Sequence, residues 1–353
     1  MKREHPSSHC PKRMDRRSFL RLSGLLGLGV ASAGVLPAAA EAVKFNRKTY
    51  KVSKTRLAMG TFVSMTLVHS SRDQAEQAMG LAFEEIDRLN RTLSRFDGAT
   101  AVAHLNNEGF LADIPPEVAT CMKRSLDFYR VSRGNFDITV KPLVDLFKAS
   151  FTAGGSVPPS EKQLEEAVRL VGSDKIALDG RSIRFKEPGM GITLDGIAKG
   201  FIVDRASNVL TEQGIENHLI NAGGDIRTMG VRQDKKPWGI AIQDPQKKRN
   251  YPDVIHMNEG AIATSGNYEV FYDREKMFHH IVDPTTGLSP AWNTSVSVVA
   301  RTAMDADALS TAVFVMEPER SMRFIDSLSR CECLVIPKEG EMLTSSGWKR
   351  PAI

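Results

Sequence analysis

The sequence contains little cysteine, and the cysteines it has do not define a fold. Four occur in 353 residues. Cys10 lies in a basic N-terminal stretch, which leaves Cys121, Cys331 and Cys333 in the rest of the chain. An odd number with one Cys-x-Cys pair is not a disulfide framework, and no second ligand pair completes a metal site. We therefore interpret these three thiols as packing residues or incidental groups.

Signatures of the common nucleotide-binding and hydrolytic sites are also missing. The sequence has no Walker A motif, no zinc-protease motif and no nucleophile elbow. Excess charge is absent from the body of the chain as well. Residues 1–40 hold seven Lys or Arg and two Asp or Glu, which accounts for the whole formal net charge of +5. A balanced body gives no reason to expect a nucleic acid as partner.

The first 40 residues have the pattern of an export signal. "DRRSFLRLSG" is basic, "LLGLGVASAGVL" is moderately apolar, and "PAAAEA" is a small-residue cleavage site near Glu41. Arg16 and Arg17 resemble the twin-arginine export signal. We therefore predict a twin-arginine signal peptide over 1–40 and one periplasmic domain over 41–353. The alternative is an uncleaved leader that holds the protein at a membrane, although its apolar stretch is short for a span.

Strands and helices alternate along the body without regular βαβ units. "TFVSMTLVH" (61–69) alternates with period two and predicts a strand, and an amphipathic helix is predicted over 72–94. "KIALDGRSIRF" predicts a hairpin, and "GITLDGIAKGFIV" predicts a strand that leads into a helix. "NHLINAGGDIRTMG", "WGIAIQD", "GAIATSG" and "HHIVDP" predict short strands of a meandering sheet, and the last third reads as strand, helix, helix, strand. The pattern indicates an α+β fold with largely antiparallel sheets flanked by helices.

Polar groups interrupt apolar segments where strands are expected to end. "GNFDIT" contains Asp137, "LDGIAKG" contains Asp195, "NAGGD" contains paired glycines and "HHIVDPTTG" contains paired histidines. Each has a plain structural explanation: Asp195 could cap the helix that follows, and the glycines could form a turn. Taken singly, these residues do not identify a function.

"MDADALST" (304–311) places two carboxylates and two hydroxyls between apolar runs. If a helix begins near Asp305, then Asp307 and Thr311 are four residues apart and share one face. There they could offer a carboxylate and a hydroxyl oxygen to one ion, and Mg²⁺ favours oxygen ligands of which few need come from protein. The alternative is that Asp305 and Asp307 only favour the start of the helix.

Together these stretches resemble the ApbE family, the FAD:protein FMN transferases. The resemblance spans about residues 57–316 and follows the family's order. The matching stretches are "MGTFVSMTL", "LSRFDGATAVAHLNN", "GNFDITVKPLVDLF", "GITLDGIAKGFIVDRA", "HLINAGGDIRTMG", "GAIATSGNYE", "HHIVDPTTG" and "MDADALSTAVFVM". Where Phe96 stands in "LSRFD" the family commonly has a Tyr, so a hydroxyl is lost and an aromatic face is kept. The resemblance implies an ApbE-like architecture, related to the T-fold, over 41–353.

The resemblance also implies a reaction. FAD would bind together with Mg²⁺, and a Thr or Ser hydroxyl of an acceptor protein would attack the phosphorus on the FMN side of the pyrophosphate. FMN would become joined to the acceptor by a phosphoester, and AMP would leave. One alternative is a Mg-dependent FAD pyrophosphatase that yields FMN and AMP. Another is a non-catalytic periplasmic flavin-binding protein.

Site residues follow from the same resemblance. The metal ligands would be the backbone carbonyl of Ala198 together with Asp307 and Thr311. His280 would help the attacking hydroxyl lose its proton, or it would bind phosphate instead. The apolar residues of the FAD site would contact the flavin or adenine, and its aspartates would accept hydrogen bonds from ribose or ring donors. These FAD-site residues are Met59, Phe96, Asn135, Phe136, Asp137, Asp195, Phe201 and Ile281.

The acceptor protein is not named by the sequence. Exported members of the family attach FMN to membrane-bound redox subunits, so we expect an acceptor of that kind with a domain facing the periplasm. A twin-arginine leader on such a transferase is also similar to the NosX-type accessory proteins of nitrous-oxide respiration. This expectation rests on analogy within the family.

Overall fold

The computed structural model describes residues 41–46, 49–152, 158–246, 251–267 and 279–348. The predicted signal peptide over 1–40 lies outside them. Within these residues a nine-stranded sheet forms the centre, and each neighbouring pair of its strands is antiparallel. From one edge to the other its strands are β1 (Glu41–Asn46), β2 (Thr49–Ala58), β3 (Thr61–His69), β7 (Asn217–Ala222), β8 (Asp225–Met229), β11 (Gly260–Gly266), β12 (Asn293–Ala300), β13 (Glu332–Pro337) and β14 (Leu343–Thr344).

Two smaller antiparallel sheets and a set of helices surround the central sheet. One small sheet has the order β4 (Phe110–Ala112), β6 (Ser182–Phe185), β5 (Ile176–Leu178), and the other pairs β9 (Trp238–Ala241) with β10 (Val254–Met257). The helices are α1 (Arg72–Leu93), α2 (Ala101–Glu108), α3 (Pro116–Val131), α4 (Lys141–Thr152), α5 (Glu161–Arg169), α6 (Ala198–Glu212), α7 (Ala303–Val315) and α8 (Pro318–Asp326). In the described part of the chain, none of the helices combines the length and the apolarity needed to span a membrane.

The middle strands of the central sheet bury apolar side chains on both of their faces. In β11, Ala261 and Ala263 point into the main core beneath the helices, whereas Ile262 points to the opposite face. Successive side chains of a strand point to opposite faces, so one strand serves two cores. The second core lies against the β9–β10 sheet and includes Ile240 and Trp348.

Helix α7 lies inside the main core and is buried nearly all round. Its residues Ala306 to Ser310 are consecutively buried, Asp307 and Ser310 among them. A helix that is apolar on every side is expected in a core rather than on a surface. The burial of α7 explains why the carboxylate and hydroxyl groups of "MDADALST" stand between two apolar runs.

Most predicted elements are confirmed. The strand over 61–69 is β3, the amphipathic helix is α1, and the hairpin turns at Asp179 and Gly180. "NAGGD" joins β7 to β8 as a turn, and the last third runs β12, α7, α8, β13. The α+β class with antiparallel sheets and flanking helices is therefore correct.

Two predicted strands are wrong. Residues 191–195 form no described strand, because the side chain of Asn106 bonds both the N–H and the carbonyl of Ile192, at 2.7 and 3.0 Å. Asp195 therefore ends no strand, and α6 begins at Ala198 without a described side-chain cap. "HHIVDP" forms only an isolated bridge at His279. It then turns, since Asp283 bonds Leu288 through its backbone N–H at 2.8 Å.

Candidate active site

A cavity opens at the ends of three inner strands of the central sheet, where β7 turns into β8 and where β11 ends. The space between its walls is about 1090 Å³ when the solvent in its open mouth is included. Helix α7 and the segment that precedes α6 form its inner wall. The predicted site residues on its surface are Asn135, Phe136, Asp137, Asp195, His280, Ile281, Asp307 and Thr311.

Helices α6 and α7 meet backbone to backbone beside the cavity. A Cβ on Gly200 would stand 2.2 Å from the carbonyl oxygen of Ala303, so a larger residue does not fit there. This approach allows the N–H of Gly200 to donate a hydrogen bond of 3.0 Å to Oδ2 of Asp307. The N-terminus of α6 therefore fixes the carboxylate of Asp307 at the cavity wall.

Asp204 holds the other side of the α6–α7 contact. Its two carboxylate oxygens accept hydrogen bonds of 2.9 Å from the backbone N–H groups of Ala303 and Met304, at the start of α7. Burial raises the pKa of Asp204 to about 6, although these two N–H donors and Arg227 oppose the rise. The carboxylate thus supports the first turn of the helix that carries Asp307.

Burial also sets the electrostatics of Asp307. Its side chain is buried, and burial raises the pKa of its carboxyl well above the usual range. The negative charge of Asp225 adds to this rise, whereas Lys199 and the N–H of Gly200 oppose it. A carboxylate in such surroundings is stabilised by a nearby cation.

The oxygen donors around Asp307 fit magnesium. Thr311 follows Asp307 by one helical turn, and its Oγ1 donates to the carbonyl oxygen of Asp307 at 3.1 Å. The segment before α6 is close, since a Cβ on Gly196 would lie 3.1 Å from that hydroxyl. In the described ranges no group of three or more His, Cys, Asp or Glu could hold a metal. One carboxylate with hydroxyl and carbonyl oxygens suits a hard ion that keeps waters and phosphate oxygens as further ligands.

Asp137 builds the cavity wall with its own hydrogen bonds. Its Oδ1 accepts bonds from the N–H and hydroxyl of Thr139 at 2.8 and 2.6 Å and from the hydroxyl of Ser173 at 2.6 Å. Oδ2 accepts a bond of 3.1 Å from the N–H of Ser173. Burial raises the pKa of Asp137, and these donors oppose the rise. The carboxylate of Asp137, which the resemblance assigned to FAD binding, thus accepts four hydrogen bonds from the protein itself.

The two adjacent histidines have different surroundings. His279 is buried. Its backbone N–H donates to Ser289 Oγ at 2.9 Å, and its ring packs edge-on against the ring of Phe314. His280 is exposed and lies on the cavity surface beside Ile281. Of the pair, His280 is therefore the one that can reach a ligand.

A cation–aromatic contact lies near the cavity. Arg95 lines the cavity and donates from Nε to Asp195 Oδ2 at 3.2 Å and from Nη1 to Asp145 Oδ1 at 3.4 Å. Its guanidinium stands 4.4 Å from the ring centroid of Phe96, which is 70% exposed. Phe96 itself is not among the cavity-lining residues of the described chain, so its ring lies beside the site rather than inside it.

Three further predicted residues are also outside the described cavity lining. Met59 is in the β2–β3 turn with φ of +52°, next to Gly60. Ala198 is the first residue of α6. Phe201 lies in the first turns of α6 and is buried in the main core.

Lys199 and Asp225 line the cavity but were not among the predicted site residues. Lys199 follows Ala198 in "GIAKG", and Asp225 is the last residue of "NAGGD", so both lie in motifs of the sequence analysis above. Their pairing, with Nζ of Lys199 3.3 Å from Oδ2 of Asp225, joins α6 to β8. Because α6 and β8 are separate along the chain, no local sequence pattern predicts this ion pair.

Comparison with known proteins identifies the family. The model of the ApbE family matches residues 59–335. The FAD:protein FMN transferase of Vibrio cholerae serotype O1 is 33% identical over 269 residues, which cover 75% of this chain and 76% of that protein. The protein of the same name from Haemophilus influenzae is 31% identical over 262 residues, covering 72% and 74%.

Solved structures show the same fold. The flavin transferase ApbE from Vibrio cholerae aligns with a TM-score of 0.73 at 27% identity, covering 88% of this chain and 99% of that one. The ApbE protein from Thermotoga maritima aligns with a TM-score of 0.76 at 29% identity, covering 85% and 99%. The predicted ApbE-like architecture is confirmed, and the chain belongs to the ApbE family.

Proposed function

We propose that this protein is a flavin transferase that moves FMN from FAD to a Thr or Ser hydroxyl of an acceptor protein and releases AMP. The proposal is supported by relatives named FAD:protein FMN transferase at 31–33% identity. The observation that carries it is the buried carboxylate of Asp307 at the wall of an open cavity that Thr311 and His280 also line. In that place a cation and a pyrophosphate would neutralise each other.

The residues of this chain would divide the work of phosphoryl transfer. Asp307, Thr311 and the carbonyl of Ala198 would hold Mg²⁺, which when bound neutralises charge on the pyrophosphate. The acceptor hydroxyl oxygen forms a bond to the FMN-side phosphorus while the bond from that phosphorus to the bridging oxygen breaks. AMP leaves with the bridging oxygen. His280 would accept the proton of the hydroxyl, for which its place on the cavity surface is suitable.

An assay with FAD, Mg²⁺ and a candidate acceptor tests this function. Transfer gives a fluorescent acceptor band, hydrolysis gives free FMN and AMP, and a flavin carrier leaves FAD intact. We expect Asp307→Ala to abolish transfer at ordinary Mg²⁺ concentrations, because it removes the carboxylate ligand. Near-wild-type transfer by this variant would refute the metal assignment.

His280→Ala separates binding from chemistry. We expect this variant to keep much of its FAD affinity, measured by quenching of flavin fluorescence, and to lose about 100-fold or more in transfer rate. An unchanged transfer rate would exclude His280 from the mechanism. A loss of FAD affinity with an unchanged turnover number would instead assign it to phosphate binding.

We further propose that the protein is exported and acts on a membrane redox subunit with a periplasmic domain. The support is the twin-arginine pattern of residues 1–40. Replacing Arg16 and Arg17 with Lys should retain the protein inside the cell, as fractionation would show. Mass spectrometry of membrane proteins with and without this gene should identify a Thr or Ser that gains FMN.

A further inference from the structure

The loop of residues 279–290 carries His280 at the cavity. Next to His280, the loop lies against the cavity at Ile281 and Pro284. The loop contains no helix and no extended strand, only the isolated bridge at His279. The position of His280 is therefore set by contacts other than a regular strand ladder.

Ser289 bonds both backbone groups of His279 with one side chain. The N–H of His279 donates to Ser289 Oγ at 2.9 Å, and the same hydroxyl donates to the carbonyl oxygen of His279 at 2.9 Å. A hydroxyl can donate and accept at once, so this side chain makes the pair of bonds that an opposite strand residue would make. The two Ser289–His279 bonds thereby close the loop at its base.

The ring of His279 attaches the same end of the loop to α7. It packs edge-on against Phe314, with the ring centroids 5.5 Å apart, and its Nε2 lies 3.3 Å from the carbonyl oxygen of Pro290. Phe314 follows Thr311 by three residues in α7. The helix that carries Asp307 and Thr311 is therefore also the helix against which the residue before His280 is packed.

The two histidines differ in exposure. His279 is 2% exposed, whereas the side chain of His280 is exposed on the cavity surface. An imidazole accepts a proton only within hydrogen-bond reach of the donor, and a displacement of about 1 Å can cost two orders of magnitude in rate. A fixed backbone at His279 therefore limits how far the imidazole of His280 can stray from a bound hydroxyl.

We propose that Ser289 is a positioning residue for the transfer reaction, and that through its two bonds to His279 it places the imidazole of His280 at the acceptor hydroxyl. The assignment rests on the proposed function, in which His280 accepts the proton of that hydroxyl. Ser289 is not among the cavity-lining residues of the described chain. It moves no proton in this role and acts on the reaction through His280.

The first test compares two substitutions of Ser289. Ser289→Ala removes both bonds to His279, and we expect transfer turnover to fall by about 10-fold. FAD affinity and KM for the acceptor protein should stay within about 2-fold of wild type. Ser289→Thr keeps a hydroxyl and should return turnover to within about 3-fold of wild type. An Ser289→Ala turnover within about 2-fold of wild type, or equal losses in the two variants, would overturn the proposal.

A double-mutant cycle shows whether Ser289 acts through His280. If it does, adding Ser289→Ala to His280→Ala should change the residual turnover by less than about 2-fold, because the group being positioned is already missing. A further loss of about 10-fold in that background would overturn the proposal, since Ser289 would then act independently of His280.

Thr285 provides a matched control in the same loop. It is exposed, and its Oγ1 donates to Asp283 Oδ1 at 2.6 Å. Thr285→Val removes this hydroxyl and leaves the Ser289–His279 bonds in place, so turnover should stay within about 2-fold of wild type. A loss as large as that of Ser289→Ala would show that loosening the loop anywhere slows transfer, and it would contradict a specific role for Ser289.

Hydrogen exchange tests the two bonds without FAD or acceptor. The N–H of His279 should exchange at least about 10-fold faster in Ser289→Ala than in wild type, and Ser289→Thr should restore its protection. Unchanged exchange would remove the structural basis of the proposal. Ser289 is only half-buried, so we expect Ser289→Ala to fold, and exchange at other amides would confirm this.

Failure of this assignment can be told apart from failure of the proposed function. If wild-type protein joins no flavin to any acceptor, the transferase function fails whatever the exchange of His279 shows. If wild-type protein transfers FMN and Ser289→Ala does so equally fast, only the role of Ser289 fails.

Discussion

His218 is a titratable side chain held entirely inside the core. Its ring nitrogens are both bonded: Nδ1 donates to the carbonyl of Ile215 at 2.9 Å, and Nε2 accepts from the hydroxyl of Ser207 at 2.7 Å. Burial lowers the pKa of His218 to about 4. The neutral ring therefore satisfies both partners, and once protonated its Nε2 could no longer accept the bond from Ser207.

We expect this histidine to make stability depend on pH. The unfolded chain binds a proton near the usual value of 6.5, whereas the folded protein does so only near 4. Protons thus favour the unfolded state within this window, and the stabilising contribution is lost as the pH falls. The free energy of unfolding should fall by about 2 kcal/mol more between pH 7 and pH 5 in wild type than in His218→Gln. Urea unfolding at the two pH values measures this, and parallel slopes would contradict it.

Contact between α6 and α7 depends on a residue without a side chain. A Cβ on Gly200 would meet three backbone atoms of α7 at 2.2 to 2.7 Å, and backbone cannot yield as a flexible side chain can. We expect Gly200→Ala to lower the free energy of unfolding by about 3 kcal/mol or more and to weaken Mg²⁺-dependent activity. The second effect is expected because the N–H of Gly200 fixes Asp307.

Gly80 provides the matched control for that substitution. It lies in the middle of α1, where a Cβ would meet nothing within 4 Å. Gly80→Ala should therefore stabilise the protein by about 1 kcal/mol, the usual gain of alanine over glycine in a helix. Thermal unfolding of the two variants should shift in opposite directions. Shifts in the same direction would show that the close approach of the helices is not the cause.

At the level of elements, the periodicity of apolar residues predicted a strand or a helix correctly where that element buries one side and exposes the other. Strand β3 and helix α1 each bury one side, and both were predicted. The conformation of the segment before α6 was not predicted correctly. There the side-chain amide of Asn106, 86 residues away, makes the backbone hydrogen bonds that a neighbouring strand would otherwise make. Most of the site residues came from motifs in the family's order. Lys199 with Asp225, and Arg95 with Asp195, emerge only when separate elements are placed side by side.

The whole molecule is organised by a central sheet that has a hydrophobic core on each face. The C-terminal segment contributes to the second of these cores. Trp348 is buried there against the β9–β10 sheet, and its indole N–H donates to Asp253 Oδ2 at 2.8 Å. The family match ends at residue 335, so this contact lies beyond it. The second core faces away from α6 and α7, and we infer that it contributes to stability rather than to chemistry.

Trp348→Ala tests that separation. We expect the free energy of unfolding to fall by about 3 to 5 kcal/mol, because removal of the large ring leaves a cavity and Asp253 loses one of its hydrogen-bond donors. The affinity for FAD should stay within about 2-fold at temperatures at which the variant is folded. Trp292→Ala is the control, since that side chain is 50% exposed and its removal should cost under about 1 kcal/mol. A loss of FAD affinity by Trp348→Ala without a loss of stability would contradict this division.

The cavity draws its lining from segments that run from Arg95 to Val315. No single stretch of the chain contains enough of it to bind a ligand alone. Binding of a flavin in this cavity would therefore require that these separate segments are folded together. Protection from protease by added FAD would accordingly extend to cleavage sites far from the ligand, and a fragment ending before α7 would show none.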